Sequence, residues 1–310
     1  MSFVRRDIAS LTETKHSNPI DQATTASPIP RWLSACVVAG TFLTLVILER
    51  RRPLRRAVEP GLPRTGRNLA MATIGSIAIT LAETPIVTRA AAMVERRRWG
   101  LVKWLRLPLW LEVSAAVVLM DYTLYLWHVL THRVPALWRF HAVHHIDLDL
   151  DASTAVRFHF GELALATPWR VAQVVAIGTS PLALSIWQTG LLASILFHHS
   201  NLELPLDVER RLSRMIVTPR MHGIHHSVVR RETDSNWSSG LSVWDWLHRT
   251  LRLNVPQLEI TIGVPGFQSI DDVGLSKMLA VPFDADVRVG DDEDLPVRPD
   301  SCVPPTHLVR

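Results

Sequence analysis

Eleven of the chain's fourteen histidines fall between His128 and His226, where an even scatter puts about four or five. They are ordered rather than run together: His128-x3-His132, His141-x2-His144-His145, a lone His159, the adjacent His198-His199, and His222-x2-His225-His226. Residues at i, i+3 and i+4 share one face of a helix. An HxxxH pair therefore aims two imidazoles at one point, and an HxxHH triplet aims three. Such groups on separate helices can enclose a metal, as in helical bundles. One HxxxH pair taken alone reads as ordinary core or surface histidine. Two HxxHH triplets and an HxxxH in a single chain read as a metal centre. The nitrogen count exceeds the three or four protein ligands of one zinc ion, which implies two metals. Imidazole alone does not select the element, since zinc, copper, iron and nickel all accept it.

Residues beside these groups have readable roles. Asp121, Tyr125, His128 and His132 are spaced as one helical stripe. Asp121 stands in the apolar stretch Val117–Tyr125, where an ionisable group marks function by default. It is expected to accept a hydrogen bond from a ligand's second ring nitrogen and so fix that ring. Glu162, three residues after His159, is a candidate for the same part. Arg157 either offsets these acids or holds a lipid head group. Other chemistries lack their patterns: there is no G-x-S-x-G elbow, P-loop, H-E-x-x-H, Gly-rich nucleotide fingerprint or haem-attachment motif. Cys36 sits in an apolar block and Cys302 in a polar tail, so no disulfide is expected.

The elements that must carry these residues are predominantly apolar helices. Hydrophobic residues make up 47% of the 310, and the mean hydropathy is +0.15, with the apolar content gathered in blocks between arginine-rich loops. That is the pattern of a multi-pass membrane protein. The blocks are Trp32–Leu48, Leu69–Val94 (interrupted by Glu83, Pro85 and Arg89), Leu107–Leu130 and Pro168–Phe197. The last has Gly178-Thr179-Ser180-Pro181 near its middle. Two full crossings need roughly 40 residues, so this block is expected to dip in and turn, keeping every histidine group on one face. The cluster Arg50-Arg51-Arg52 with Arg55-Arg56 suits an anionic cytoplasmic membrane surface rather than nucleic acid. The reading is a mainly α, multi-pass helical membrane protein with a cytoplasm-facing helical cap that carries the histidines. It divides into a flexible polar leader over 1–30, a transmembrane or interfacial region over 31–106, a catalytic domain over 107–283 and an acidic, Pro-rich tail over 284–310.

A site against the bilayer has lipids for substrates. Attack on an unactivated C–H bond requires O2 and a redox metal, which favours iron. At these residues the chain resembles the fatty acid hydroxylase superfamily, also called the sterol desaturase family. The likeness runs through HVLTH, HAVHH and HGIHH and through their flanking words: Asp121-Tyr122, Leu137–His141, Arg157-Phe158-His159, His199-Ser200-Asn201, Thr218–His222, Asp234-Ser235-Asn236 and Leu241–Asp245. It covers roughly residues 110–283. The resemblance implies His128, His132, His141, His144, His145, His199, His222, His225 and His226 as metal ligands, with His159 a tenth and His198 left out. It implies two iron ions, O2 as co-substrate, and hydroxylation or desaturation of a fatty acyl or sterol-like lipid in lipid biosynthesis. Electrons come from a separate reductase, ferredoxin or cytochrome. Departures stand at Phe160 for a usual proline, Trp237-Ser238 for Tyr-Gly, and His248-Arg249-Thr250 for Phe-Gly-Thr. The alternatives are a zinc-dependent membrane lipid hydrolase or lyase, and a non-enzymatic membrane metal-binding protein.

Overall fold

The computed structural model describes residues 27–284. The leader and the acidic tail therefore lie, apart from residues 27–30 and Asp284, outside the described residues, as does Cys302. Thirteen α-helices follow one another there: α1 (Arg31–Arg51), α2 (Gly61–Ala78), α3 (Thr84–Arg97), α4 (Leu101–Trp104), α5 (Leu109–Arg133), α6 (Pro135–His145), α7 (Phe160–Ile177), α8 (Pro181–His199), α9 (Leu206–Leu212), α10 (Pro219–His225), α11 (Arg230–Thr233), α12 (Val243–His248) and α13 (Leu275–Ala280). A single π-helical turn, Ile79–Glu83, joins α2 to α3. Among the described residues extended pairing is limited to isolated bridges such as Pro53 with Leu202 and Ser227 with Ile262. The expected mainly α architecture is what forms.

Among the described residues, four helical stretches are long and apolar enough to cross a membrane: Arg31–Arg51, Gly61–Trp104, Leu109–Arg133 and Pro181–His199. The second apolar block, interrupted by Glu83 and Pro85, reads on sequence as either one broken span or a shallow hairpin, and it forms a single helical stretch. Helix simply continues through it by way of the π turn, with Pro85 tolerated in the first turn of α3.

The fourth block does form a hairpin. It begins at Phe160, eight residues before the apolar run, so its arms α7 and α8 have 18 and 19 residues. Each is about 27 Å long at 1.5 Å per residue. The turn is built by local chemistry. Gly178 ends α7 at φ +89, a left-handed conformation that glycine adopts without strain. Ser180 caps α8 by accepting from the Ala183 amide, and Pro181 opens the helix. Gly100 packs on this tip so closely that a side chain at either glycine would meet the other segment's backbone. Both arms thus return to one end of the bundle, where His159 and His198-His199 lie.

The core between the helices is apolar, with Val87, Ala91, Ala116, Met120, Val174 and Leu184 buried together. At the hairpin-tip end, buried Lys103 pairs with Glu95 and Glu112 at 2.5 Å each. Trp99, Trp104 and Trp110 are exposed around it, as membrane-interface anchors are. At the opposite end α6, α10, α12 and the intervening loops form the cap. A buried ionic knot ties that cap to the stem. Asp147 takes Arg64 of α2 at 2.8 Å and Arg157 at 2.9 Å, and Arg64 also pairs with Asp151. Arg157 therefore answers Asp147, which the sequence reading had not singled out. It answers neither Asp121 nor Glu162, and being fully buried it does not reach a lipid head group.

Candidate metal centre

Short helices with well-made starts deliver the imidazoles. Pro135 opens α6 directly after α5 ends at Arg133, so the HxxxH of one helix and the HxxHH of the next face each other across a one-residue joint. Thr218 caps α10 by accepting from the Met221 amide, and Pro219 takes its first position. That register places His222, His225 and His226 on the inward side. His199 enters from the end of α8.

Among the described residues, nine histidines converge as two adjacent groups. His128, His132, His141, His145 and His225 form one, and His144, His199, His222 and His226 the other; within each group the candidate ligand atoms lie within 4.8 Å of one another. The groups abut through His145 and His226, whose rings stack at 4.2 Å. In the second group the Nε2 atoms approach as a chain, His144 to His199 at 2.9 Å, His199 to His222 at 3.0 Å and His222 to His226 at 3.0 Å. In the first, His128 and His141 Nε2 are 3.2 Å apart, while Nε2 of His132, His145 and His225 is buried with no hydrogen-bond partner.

The outer nitrogens explain this geometry. His128 Nδ1 donates to the Trp237 carbonyl at 2.6 Å, His225 Nδ1 to the Ser235 carbonyl at 2.8 Å, His199 Nδ1 to the Ile195 carbonyl at 2.9 Å and His144 Nδ1 to the Arg157 carbonyl at 3.3 Å. His141 Nδ1 donates to Glu162 Oε1 at 2.7 Å. A carbonyl accepts only from N–H, so these partners place the proton on Nδ1 and leave an Nε2 lone pair facing inward. Converging lone pairs repel unless a cation lies between them. Two nitrogens about 2.0–2.1 Å from one ion and at right angles are about 3 Å apart, which matches the spacings found. The residues fit a pair of nitrogen-bound metals.

The electrostatics agree. Burial, reinforced by neighbouring imidazoles, holds His144, His145, His222 and His226 well below the ordinary imidazole value of 6.5. Burial takes His225 down to about 3, against the pull of its Ser235 hydrogen bond. Neutral imidazole is the form a metal needs.

Three residues of the sequence reading fall elsewhere. His159 belongs to neither group: its Nδ1 accepts from the Gly161 amide at 3.0 Å, which caps α7, and its ring packs on Phe140 and Phe160. Asp121 touches no site histidine. Its carboxylate accepts from the Leu241 amide at 3.0 Å and from Trp244 Nε1 at 2.7 Å, bracing the cap against α5. Among the described residues, the expected hydrogen bond from a site ring to a carboxylate is the one His141 donates to Glu162. His198, set aside on sequence, is buried against His222 and His199 at 4.1 and 4.7 Å between ring centroids but joins neither group.

The residues that sequence reasoning missed act through backbone. Asp245 accepts from the Trp237 and Ser238 amides at 2.9 and 3.0 Å and from the Thr250 hydroxyl at 2.7 Å. It thereby fixes the loop whose carbonyls hold His128 and His225. The only sequence signal for this was that these residues fell within the flanking words around the histidines.

Beneath the site a cavity of about 420 Å³ runs down among α2, the π turn, α5, α7 and α8. It is bounded at the top by His128, His141, His144, His199 and His222.

The family model described as Fatty acid hydroxylase matches residues 113–250, a span that holds both histidine groups. An ornithine lipid hydroxylase of Rhizobium tropici is 28% identical over 80% of this chain and 74% of its own length. A cholesterol 25-hydroxylase of Mus musculus is 27% identical over 74% of this chain and 79% of its own. An alkylglycerol monooxygenase of Homo sapiens is 29% identical over 42% of this chain and 28% of its own. No solved structure gives a significant match. Apolar membrane-length helices, nine convergent histidines and these three relatives agree with the family match, and together they support the fatty acid hydroxylase superfamily.

Proposed function

We propose that the protein is a membrane-embedded, O2-dependent hydroxylase that holds two iron ions in its two histidine groups and oxidises a carbon of a lipid. The observation that carries this reading is the convergence of inward Nε2 lone pairs into two adjacent nests, at the head of a cavity lined largely by apolar side chains. Iron rather than zinc is favoured because the similar proteins are hydroxylases and a monooxygenase, and insertion of oxygen into C–H needs a redox metal. The same names favour an alcohol product over a double bond.

When bound, the metal pair supplies O2 activation and the oxidising power for C–H cleavage. The protein's own residues do the remaining work. His132, His141, His145, His128 and His225 would hold one ion, and His144, His199, His222 and His226 the other. Glu162 keeps the His141 proton on Nδ1 and fixes the ring so that the opposite nitrogen points into the site. The cap over the site excludes bulk water, which protects a reactive intermediate from side reactions. The cavity below positions the apolar body of the lipid. Electrons come from a separate reductase, ferredoxin or cytochrome. The histidine end, where Arg50, Arg51 and Arg52 gather, faces the cytoplasm.

The test is iron per chain in anaerobically purified protein, together with mass-spectrometric comparison of lipids from cells with and without it. About two irons and an oxygenated lipid that appears only with the protein are expected. His144→Ala should lower the iron content and abolish the product. Zinc in place of iron, with lipid turnover that needs neither O2 nor reductant, would overturn the proposal in favour of a hydrolase.

A further inference from the structure

The cavity below the histidines does not end in hydrocarbon. Its lower lining includes Glu83, Arg170 and Trp187, reached past Leu163, Ala166 and Leu191. Arg170 lies eight residues after Glu162 on α7, about 12 Å further from the histidines at 1.5 Å per residue. Charged groups among membrane-length helices are costly and are kept where they serve a site. Glu83 arrives there on the π turn, and such turns concentrate at functional positions.

A simple ion-pair staple between the π turn and α7 would close tightly, and this pair does not. Arg170 Nε and Glu83 Oε1 are 3.8 Å apart, beyond hydrogen-bond distance. The guanidinium is otherwise held firmly. It lies 4.3 Å over the Trp187 ring, and its Nη1 donates to Gln173 Oε1 at 3.1 Å. Yet Nε itself is buried with no hydrogen-bond partner, and so is Trp187 Nε1. Both groups line the cavity, so an oxygen seated on the cavity side, off the line between them, can lie within hydrogen-bond distance of the orphaned donor and of the carboxylate at once. A group that both accepts and donates suits that position, and among the polar groups of lipids a hydroxyl does both.

We propose that Arg170 and Glu83 recognise a hydroxyl group on the lipid. The hydroxyl oxygen accepts from Arg170 Nε and its O–H donates to the Glu83 carboxylate, about 12 Å along α7 from Glu162. The inference rests on the reading of the upper cavity as the place of oxidation, and it names the substrate class: an amphiphile with a hydroxyl remote from the oxidised carbon. Trp187 contributes the flat face that fixes the guanidinium.

Binding tests this apart from oxidation. Radiolabelled hexadecan-1-ol, its methyl ether and hexadecane are titrated against the purified full-length chain in detergent micelles, with correction for partition into protein-free micelles. The alcohol should bind about tenfold or more tighter than the ether, which accepts but cannot donate, and tighter than the alkane. Arg170→Met should erase the preference of the alcohol over the ether. Equal binding of alcohol and ether by the unaltered protein overturns the proposal and needs no variant, as does a preference that survives in Arg170→Met. Loss of iron or of lipid oxidation would instead count against the hydroxylase reading, and neither is measured by this titration.

Discussion

Replacing Glu162 tests whether the carboxylate–imidazole contact tunes the metal site. The His141 Nδ1 to Glu162 Oε1 hydrogen bond is 2.7 Å long, and both side chains are almost fully buried. A hydrogen bond to a charged partner contributes about 1.5–3 kcal/mol and a neutral one about 0.5–1.5 kcal/mol. Glu162→Gln keeps an acceptor oxygen and removes the charge, so it should cost about 1–1.5 kcal/mol of metal binding, or roughly tenfold in affinity. Glu162→Ala also leaves the ring proton unpaired and frees the imidazole to turn, which should bring the loss towards a hundredfold. The assay is competition for iron between the purified full-length variants and a soluble chelator of known affinity. Asp121→Asn is the control. It is a comparably buried carboxylate on the same side of the molecule, but its partners are Leu241 and Trp244, so it should lower thermal stability and leave iron affinity alone. Equal affinity in Glu162→Ala and the unaltered chain, or an equal loss in Asp121→Asn, would refute the reasoning.

Three further outcomes follow from the cap. Asp147→Asn leaves Arg64 and Arg157 buried without their shared counter-charge and should destabilise the protein by about 3–5 kcal/mol, seen as a lower melting temperature. Because its pKa is held well below the usual carboxylate value of 3.8, the stability Asp147 contributes is complete above that value and disappears as pH falls through the folded one. The buried histidines act higher on the pH scale. His225 falls from 6.5 to about 3 on folding, so the unfolded chain binds more protons between those values and stability declines as pH drops below 6.5, by about 2 kcal/mol from this group at pH 5; flat melting temperatures between pH 7 and 5 in iron-free protein would contradict it. Finally, Arg249 ends α12 with φ +59, a left-handed conformation that costs a side-chain-bearing residue about 1–2 kcal/mol. Arg249→Gly should therefore raise thermal stability by about 1 kcal/mol, and a lower melting temperature would show that the arginine side chain makes a compensating contact.

That last position shows how far the sequence could be read. Gly is the family's usual residue between Phe and Thr there, and the left-handed φ supplies the physical reason that a string comparison lacks. The same holds at Phe160, where the family's proline would occupy the first position of α7 and needs no amide partner. The membrane stem was legible because apolar blocks have one stable solution in lipid, and the hairpin because Gly178, Ser180 and Pro181 stop one helix and start the next. The start of α7 was missed by eight residues: Glu162 and Thr167 interrupt the apolar pattern there, although Leu163, Ala164, Leu165 and Ala166 between them already belong to it.

Which histidine belongs to which group was not legible, and the reason is geometric. Periodicity says that His222, His225 and His226 share a face, but His225 goes to one group while His222 and His226 go to the other. The split depends on how α10 is rotated against α6, and that rotation is set by tertiary contacts. Asp121 shows the same limit from the other side. Its spacing from His128 put it on the right stripe of α5, yet a stripe drawn along a helix does not say at what depth a loop from the cap will meet it. The segment around Leu241 and Trp244 arrives below the imidazoles and claims that carboxylate first. The Trp237 carbonyl, held in place by Asp245, arrives higher and takes His128. Backbone carbonyls, which every residue has, thus do much of the orienting work that a sequence reading assigns to acidic side chains. Glu162 is the exception because it sits on α7, which passes His141 directly, with no loop in between.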